Sequence, residues 1–134
     1  MNTHDITSSL SELSNFAGVF PRDQLPVIRT FPKSFVFNTD PSHKPGKHWI
    51  AVIVHSDRVE YFDATGKPPV IHTYLAKLGK PVIYNNHRIQ STHSIACGYF
   101  CVDFLLRRSS GESFCEILSS FSKNSLFNDF LLLR

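Results

Sequence analysis

Cys97 stands where the polar stretch His87–Ala96 gives way to a helical pattern, with Gly98 beside it. A helix N-terminus concentrates partial positive charge and N–H groups that have no intrahelical partner. That setting lowers a thiol's pKa and favours the nucleophilic thiolate. The same N–H groups can donate to the oxyanion formed when a thiolate attacks a carbonyl. A glycine at 98 lets a substrate backbone approach closely. The bland alternative for Cys97 is a small core hydrophobe. Cys101 and Cys115, which fall inside helical patterns, are read that way.

A nucleophilic cysteine needs a base, usually histidine, and a third group that orients the base. His48 is the candidate base because it stands at the mouth of the apolar run Trp49–Val54. Suppose Val54 pairs with Val59 across the polar turn His55–Arg58. Ile50 then faces Asp63 and His48 faces Thr65, so Asp63 lies diagonally beside His48 on one face of the hairpin. Diagonal neighbours are about 7–8 Å apart at the backbone, within side-chain reach. Asp63 can then accept the imidazole N–H and fix its tautomer. A slip of one residue puts the pair on opposite faces. Alternatively, His48 is a loop histidine and Asp63 a turn residue ahead of Thr65-Gly66. Gln90 precedes Cys97 in the same polar stretch, and its side-chain N–H can complete an oxyanion hole. The remaining histidines (His4, His43, His55, His72, His87 and His93) have no equivalent partner and are expected to be solvated.

Metal binding is the rival chemistry. His93, Cys97 and Cys101 follow at intervals of four. Structural zinc sites show a second ligand pair at a distance, and none stands out. The run Cys97-Gly98-Tyr99-Phe100-Cys101 also has one residue too many for a Cys-x-x-Cys redox pair. No metal and no cofactor are expected.

The elements that must position these residues are short. Asp5–Phe16 carries Ile6, Leu10 and Leu13 at helical spacing, capped by Thr3 or Asp5 and ended by Gly18 and Pro21. Pro26–Thr30 and Ser34–Asn38 are β-prone. Thr39–Lys47 reads as an exposed loop. Trp49–Val54 reads as a strand buried on both faces, and Val59–Ala64 as its hairpin partner. Ile71, Tyr74, Leu75 and Leu78 mark a helix with Pro69 at its first position and Gly79 after its end. Pro81–Tyr84 is a further strand. Helices follow from Cys97 to Arg107–Arg108, around Phe114–Phe121, and around Phe127–Leu131. Strands in the middle with helices at both ends predict an α+β fold, a mixed sheet packed with helices.

The chain's 134 residues suit one domain, 1–134. At 42% hydrophobic and 19% charged, it is neither disordered nor a coiled coil. No apolar run approaches the ~20 residues that cross a bilayer, and Met1–Ser14 is too polar for a signal peptide. No membrane association is expected. Three cysteines, an odd number, point to reduced thiols in a cytosolic or nuclear setting. A net charge of +3 permits weak DNA association without arguing for it.

The order His48, Asp63, Gln90, Cys97, with cysteine last, is the reverse of the papain order. With Lys47-His48-Trp49, Tyr61–Gly66 and Gln90–Leu105, it closely resembles the adenovirus protease (adenain) family. That family includes relatives carried by Polinton/Maverick transposons and other double-stranded DNA viruses. Asn15–Pro26 and Phe35–Asp40 extend the resemblance upstream. It implies a permuted papain-type cysteine protease fold. Cys97 would be the nucleophile, His48 the general base, Asp63 the orienting acid, and Gln90 the oxyanion donor with the Cys97 N–H. Trp49 would shield the imidazole. The implied reaction is peptide hydrolysis through a thioester, often after small residues, on viral precursor proteins in the host nucleus or cytoplasm or in the virion. The segment between Asp63 and Gln90 is shorter than in the adenoviral enzyme and lacks its cysteine, so activation by a disulfide-linked peptide is not expected. Two other readings share the residues: a protease for SUMO or ubiquitin-like proteins, and an inactive binding or scaffold protein.

Overall fold

The computed structural model describes residues 1–39, 48–91 and 96–133. It is a mixed α+β architecture built on one five-stranded sheet. In chain order the elements are α1 (Thr3–Leu10), β1 (Phe16–Pro21), β2 (Lys33–Asn38), β3 (Trp49–Val54), β4 (Val59–Phe62), α2 (His72–Leu78), β5 (Val82–Tyr84), α3 (Cys97–Ser109), α4 (Phe114–Ser120) and α5 (Ser125–Leu133). The strands lie in the order β1-β2-β3-β4-β5. The two outer pairs are parallel and the two inner pairs antiparallel.

Both faces of the sheet are covered, which is why β3 is an unbroken apolar run rather than an alternating one. On one face Phe35, Phe37, Ile50, Val52, Val59 and Tyr61 meet α2 through Ile71 and Leu75. On the other, Val36, Trp49, Ala51, Ile53 and Phe62 meet α1 and α3. The Phe62 and Phe104 rings stack with centroids 4.5 Å apart, seating the middle of α3 on β4. Phe114 meets Phe104 edge-on at 5.6 Å and brings in α4.

The β3–β4 register pairs Val54 with Val59 and Ala51 with Phe62, the pairing that the four-residue turn predicts. Other expectations are corrected. α1 stops at Leu10, and its cap is Asn2 rather than Thr3 or Asp5. The Asn2 side chain accepts from the Asp5 N–H while the Asp5 carboxylate accepts from the Asn2 N–H. Phe16–Pro21, assigned to the end of that helix and its stop, is an edge strand instead. All six of its residues are half-buried, so it lacks the alternation that marks a strand, and its register shifts between Phe16 and Val19. Pro26–Thr30 forms no strand, and Val27 within it is 76% exposed. α2 begins at His72, three residues after Pro69. Cys115 is exposed on α4 rather than packed in the core. The loop expected over Thr39–Lys47 lies, apart from Thr39, outside the described residues, and so do His43 and His93.

Candidate active site

His48 precedes β3, and its backbone carbonyl accepts from the Thr39 N–H at 3.0 Å, which carries the β2–β3 ladder past the strand end. Its Nε2 lies 2.7 Å from Asp63 Oδ1. The two side chains are 19% and 4% exposed, so the contact is largely shielded from water. Asp63 Oδ1 also accepts from the Thr65 N–H at 2.8 Å and the Thr65 hydroxyl at 2.6 Å. A carboxylate receiving three donors on one oxygen is fixed in direction and favoured in its charged form. Burial alone raises the Asp63 pKa, but His48 and Thr65 together hold it below the usual carboxylate range.

With Nε2 taken by Asp63, the ring nitrogen left for Cys97 is Nδ1. Burial of the imidazole opposes its charging, yet the hydrogen bonds to Asp63 and Cys97 raise its pKa to about 9. Burial likewise pushes the Cys97 thiol up. The hydrogen bond from His48 and those from the backbone N–H groups of Trp49 and Gly98 outweigh it, so the thiol titrates below its ordinary value. A raised imidazole against a lowered thiol is the signature of a thiolate–imidazolium pair. One turn on, fully buried Cys101 is driven the opposite way by burial and by the neighbouring charges of Cys97 and Asp63, and it stays a thiol.

Among the described residues, the helical ladder of α3 begins with Phe100 N–H donating to the Ala96 carbonyl at 3.0 Å. Ala96, at the N-cap, caps the helix with no side-chain hydrogen bond. Trp49 is buried beneath this turn, in the cluster that holds Cys97. Gly98 is also buried, and a Cβ there would lie 3.0 Å from Met1 Cβ, 3.4 Å from Trp49 Cδ1 and 3.5 Å from Ile6 Cδ1. A side chain at 98 would therefore press on Met1, Trp49 and Ile6, so the absence of a Cβ here serves the packing of α3 against the N-terminal segment and β3.

Gln90 is buried on the segment between β5 and α3. Its N–H and that of Ile89 both donate to the Ala64 carbonyl, at 3.0 and 2.8 Å, so this loop is tied to the residue after Asp63. Among the described residues, no group of three or more His, Cys, Asp or Glu could hold a metal ion.

Comparison with known proteins gives a consistent picture. The chain is 32% identical over 99 residues to a putative thiol protease of Acanthamoeba polyphaga mimivirus, a match covering 63% of this chain and 32% of that protein. It therefore spans about a third of the length of the curated relative it matches. A crystal structure of an ASFV protease, in selenomethionine form, superposes with a TM-score of 0.52 at 24% identity, over 75% of this chain and 44% of that one. No family model matches. The chain is thus similar in sequence to a viral thiol protease and in fold to a viral protease.

Of two further residues that shape the site, Gly66 is legible in the sequence as a turn residue and Asn85 carries no signal there. Asn85 is a buried amide whose Oδ1 accepts from the Asp63 N–H at 3.1 Å and whose Nδ2 donates to the Asp63 carbonyl. It locks the backbone that aims the carboxylate. Gly66 sits at φ +74°, and a Cβ there would collide with the His87 carbonyl group and come within 2.7 Å of Arg88 N. Only glycine lets the turn after Asp63 lie flat against the segment leading to Gln90.

His55 was expected to be solvated. Instead its Nε2 lies 2.9 Å from Glu60 Oε2, deep in a network remote from Cys97. Glu60 is only 1% exposed and takes two bonds of 2.8 Å from Arg108. The turn between β3 and β4 brings His55 back over β4, a placement that residue type alone does not reveal.

Proposed function

We propose that this chain carries the catalytic centre of a viral cysteine endopeptidase. The observation that carries the reading is the 2.7 Å contact from His48 Nε2 to Asp63 Oδ1, with a depressed Cys97 thiol on the imidazole's other side. Cys97 attacks the scissile carbonyl as thiolate. The Gln90 side chain and the Cys97 N–H hold the resulting oxyanion. The His48 imidazolium gives its proton to the leaving amine, and the acyl group remains on sulfur as a thioester. Neutral His48 then takes a proton from water, which attacks the thioester and releases the acid and the thiolate. Asp63 fixes the imidazole's tautomer and balances its charge. Trp49 backs the first turn of α3, and its N–H, like that of Gly98, supports the thiolate.

The reading includes an adenain-like, permuted papain-type arrangement, supported by the order His48, Asp63, Gln90, Cys97. It also includes substrates that are viral precursor proteins cut after small residues, met in an infected cell or in virions, and supported by the viral relatives above. Cleavage of a peptide library by the protein, lost in Cys97→Ala, is the expected result. Turnover retained by Cys97→Ala sinks the assignment. Efficient release of SUMO or ubiquitin from their precursors, with no cleavage of library peptides, moves the substrate to ubiquitin-like proteins. A Cys97 that reacts with electrophiles no faster than a free thiol leaves a binding protein.

A further inference from the structure

We propose that Asn128 and Asp129, consecutive on α5, are positioning residues that hold the segment carrying Gln90 in catalytic register; this rests on the peptidase reading above. The peptide groups on both sides of Gln90 are tied to this one helix. Asn128 Nδ2 donates to the Ile89 carbonyl at 3.0 Å. Both Asp129 carboxylate oxygens lie 3.2 Å from the Ser91 N–H. Between these anchors the Ile89 and Gln90 N–H groups reach the Ala64 carbonyl. Three consecutive residues are thus pinned from two directions, from β4's end and from α5.

The chemistry of Asn128 argues for a clamp rather than filler. Asparagine is a poor helix former, and an unpaired buried amide is costly. This one sits fully buried inside α5. Both Nδ2 hydrogens and Oδ1 are engaged: Nδ2 also donates to the Ser122 carbonyl at 2.7 Å, and Oδ1 accepts from the Ser122 N–H at 2.8 Å. One side chain therefore joins α5, the α4–α5 connection and the Gln90 segment. Asp129 is buried too, with both carboxyl oxygens directed at a backbone N–H. Neither residue touches the reacting atoms in this arrangement. Their effect passes through the backbone to the Gln90 amide, whose worth depends on sitting within hydrogen-bond distance of a developing oxyanion.

Oxyanion donors speed acylation but not displacement at an alkyl carbon, and this difference makes the test. Asp129→Leu removes the acceptor for the Ser91 N–H, while Asp129→Asn keeps one. In Asp129→Leu, amide hydrogen exchange over residues 85–91 is expected to accelerate. Acylation by an activated peptide ester falls about tenfold or more, while iodoacetamide alkylation of Cys97 stays within about twofold of wild type. Asp129→Asn restores most of the acylation. Asn128→Asp, which sets a carboxylate against two carbonyls, provides the same readouts should Asp129→Leu fail to fold. Unchanged exchange over 85–91, or acylation and alkylation falling in parallel, overturns the clamp. A wild-type protein whose Cys97 alkylates rapidly but never acylates overturns the peptidase reading instead, and the exchange measurement still decides the clamp.

Discussion

His48 and Cys97 shift each other's titration in opposite directions, and the pH dependence of the two half-reactions separates them. As pH rises through the depressed Cys97 value, the thiolate appears. Alkylation by iodoacetamide should therefore approach its plateau at a lower pH than for an ordinary thiol, which titrates near ~8.5. As pH rises further through about 9, the His48 imidazolium is lost. In the proposed mechanism peptide hydrolysis needs that proton for the leaving amine, so it should fall there while alkylation does not. Asp63→Asn removes the carboxylate that raises His48, so the upper limb should move down from about 9 toward 6.5, with a drop in kcat as the tautomer is no longer fixed. Stopped-time hydrolysis and alkylation assays across pH check both outcomes. At this scale the sequence was informative about His48 and Asp63, because period-two alternation and an even-numbered turn decide whether two hairpin residues share a face. It was silent on Asn85, Asn128 and Asp129. Their partners are backbone atoms of distant segments, and no spacing rule marks such contacts.

β3, β4 and α3 were legible for a related reason: each is a dense apolar segment with a clear period or none. β1 was not, since an evenly half-buried edge strand containing a glycine and ending in proline leaves no pattern. The parallel pairing of β4 with β5 brings the chain back beside Asp63, and the close approach at Gly66 completes that return. Gly66→Ala must strain a positive-φ turn and push it off the His87 backbone. We expect a loss of about 1–3 kcal/mol in chemical denaturation, with catalysis falling more than Cys97 alkylation. The stacking of Phe104 on Phe62 supports α3 from below. Phe104→Ala leaves a void under the helix that presents Cys97 and should cost about 3–5 kcal/mol.

For the whole molecule, the buried Glu60 network fastens the far end of α3 to β4, as the stacked rings fasten its middle. Burial raises the Glu60 pKa, but Arg108 and then His55 hold it below the ordinary value. Burial lowers that of His55. Both shifts act in one direction. The unfolded chain takes up protons at His55 as pH falls below 6.5, and at Glu60 as it falls below 4.5, before the folded protein does. Melting temperature is expected to decline on acidification through these two ranges. Glu60→Ala, which strands the Arg108 charge, should cost about 3–5 kcal/mol and flatten the decline at the lower range. Scanning calorimetry from pH 7 to 4 reads both. Finally, the sulfur and imidazole come from residues as distant in the chain as 48 and 97, and they meet only once the hairpin is zipped and the helix has landed on it. A half-translated or misfolded copy does not bring the two side chains together, so under the proposed function the contact that activates the thiol is a property of the folded chain alone.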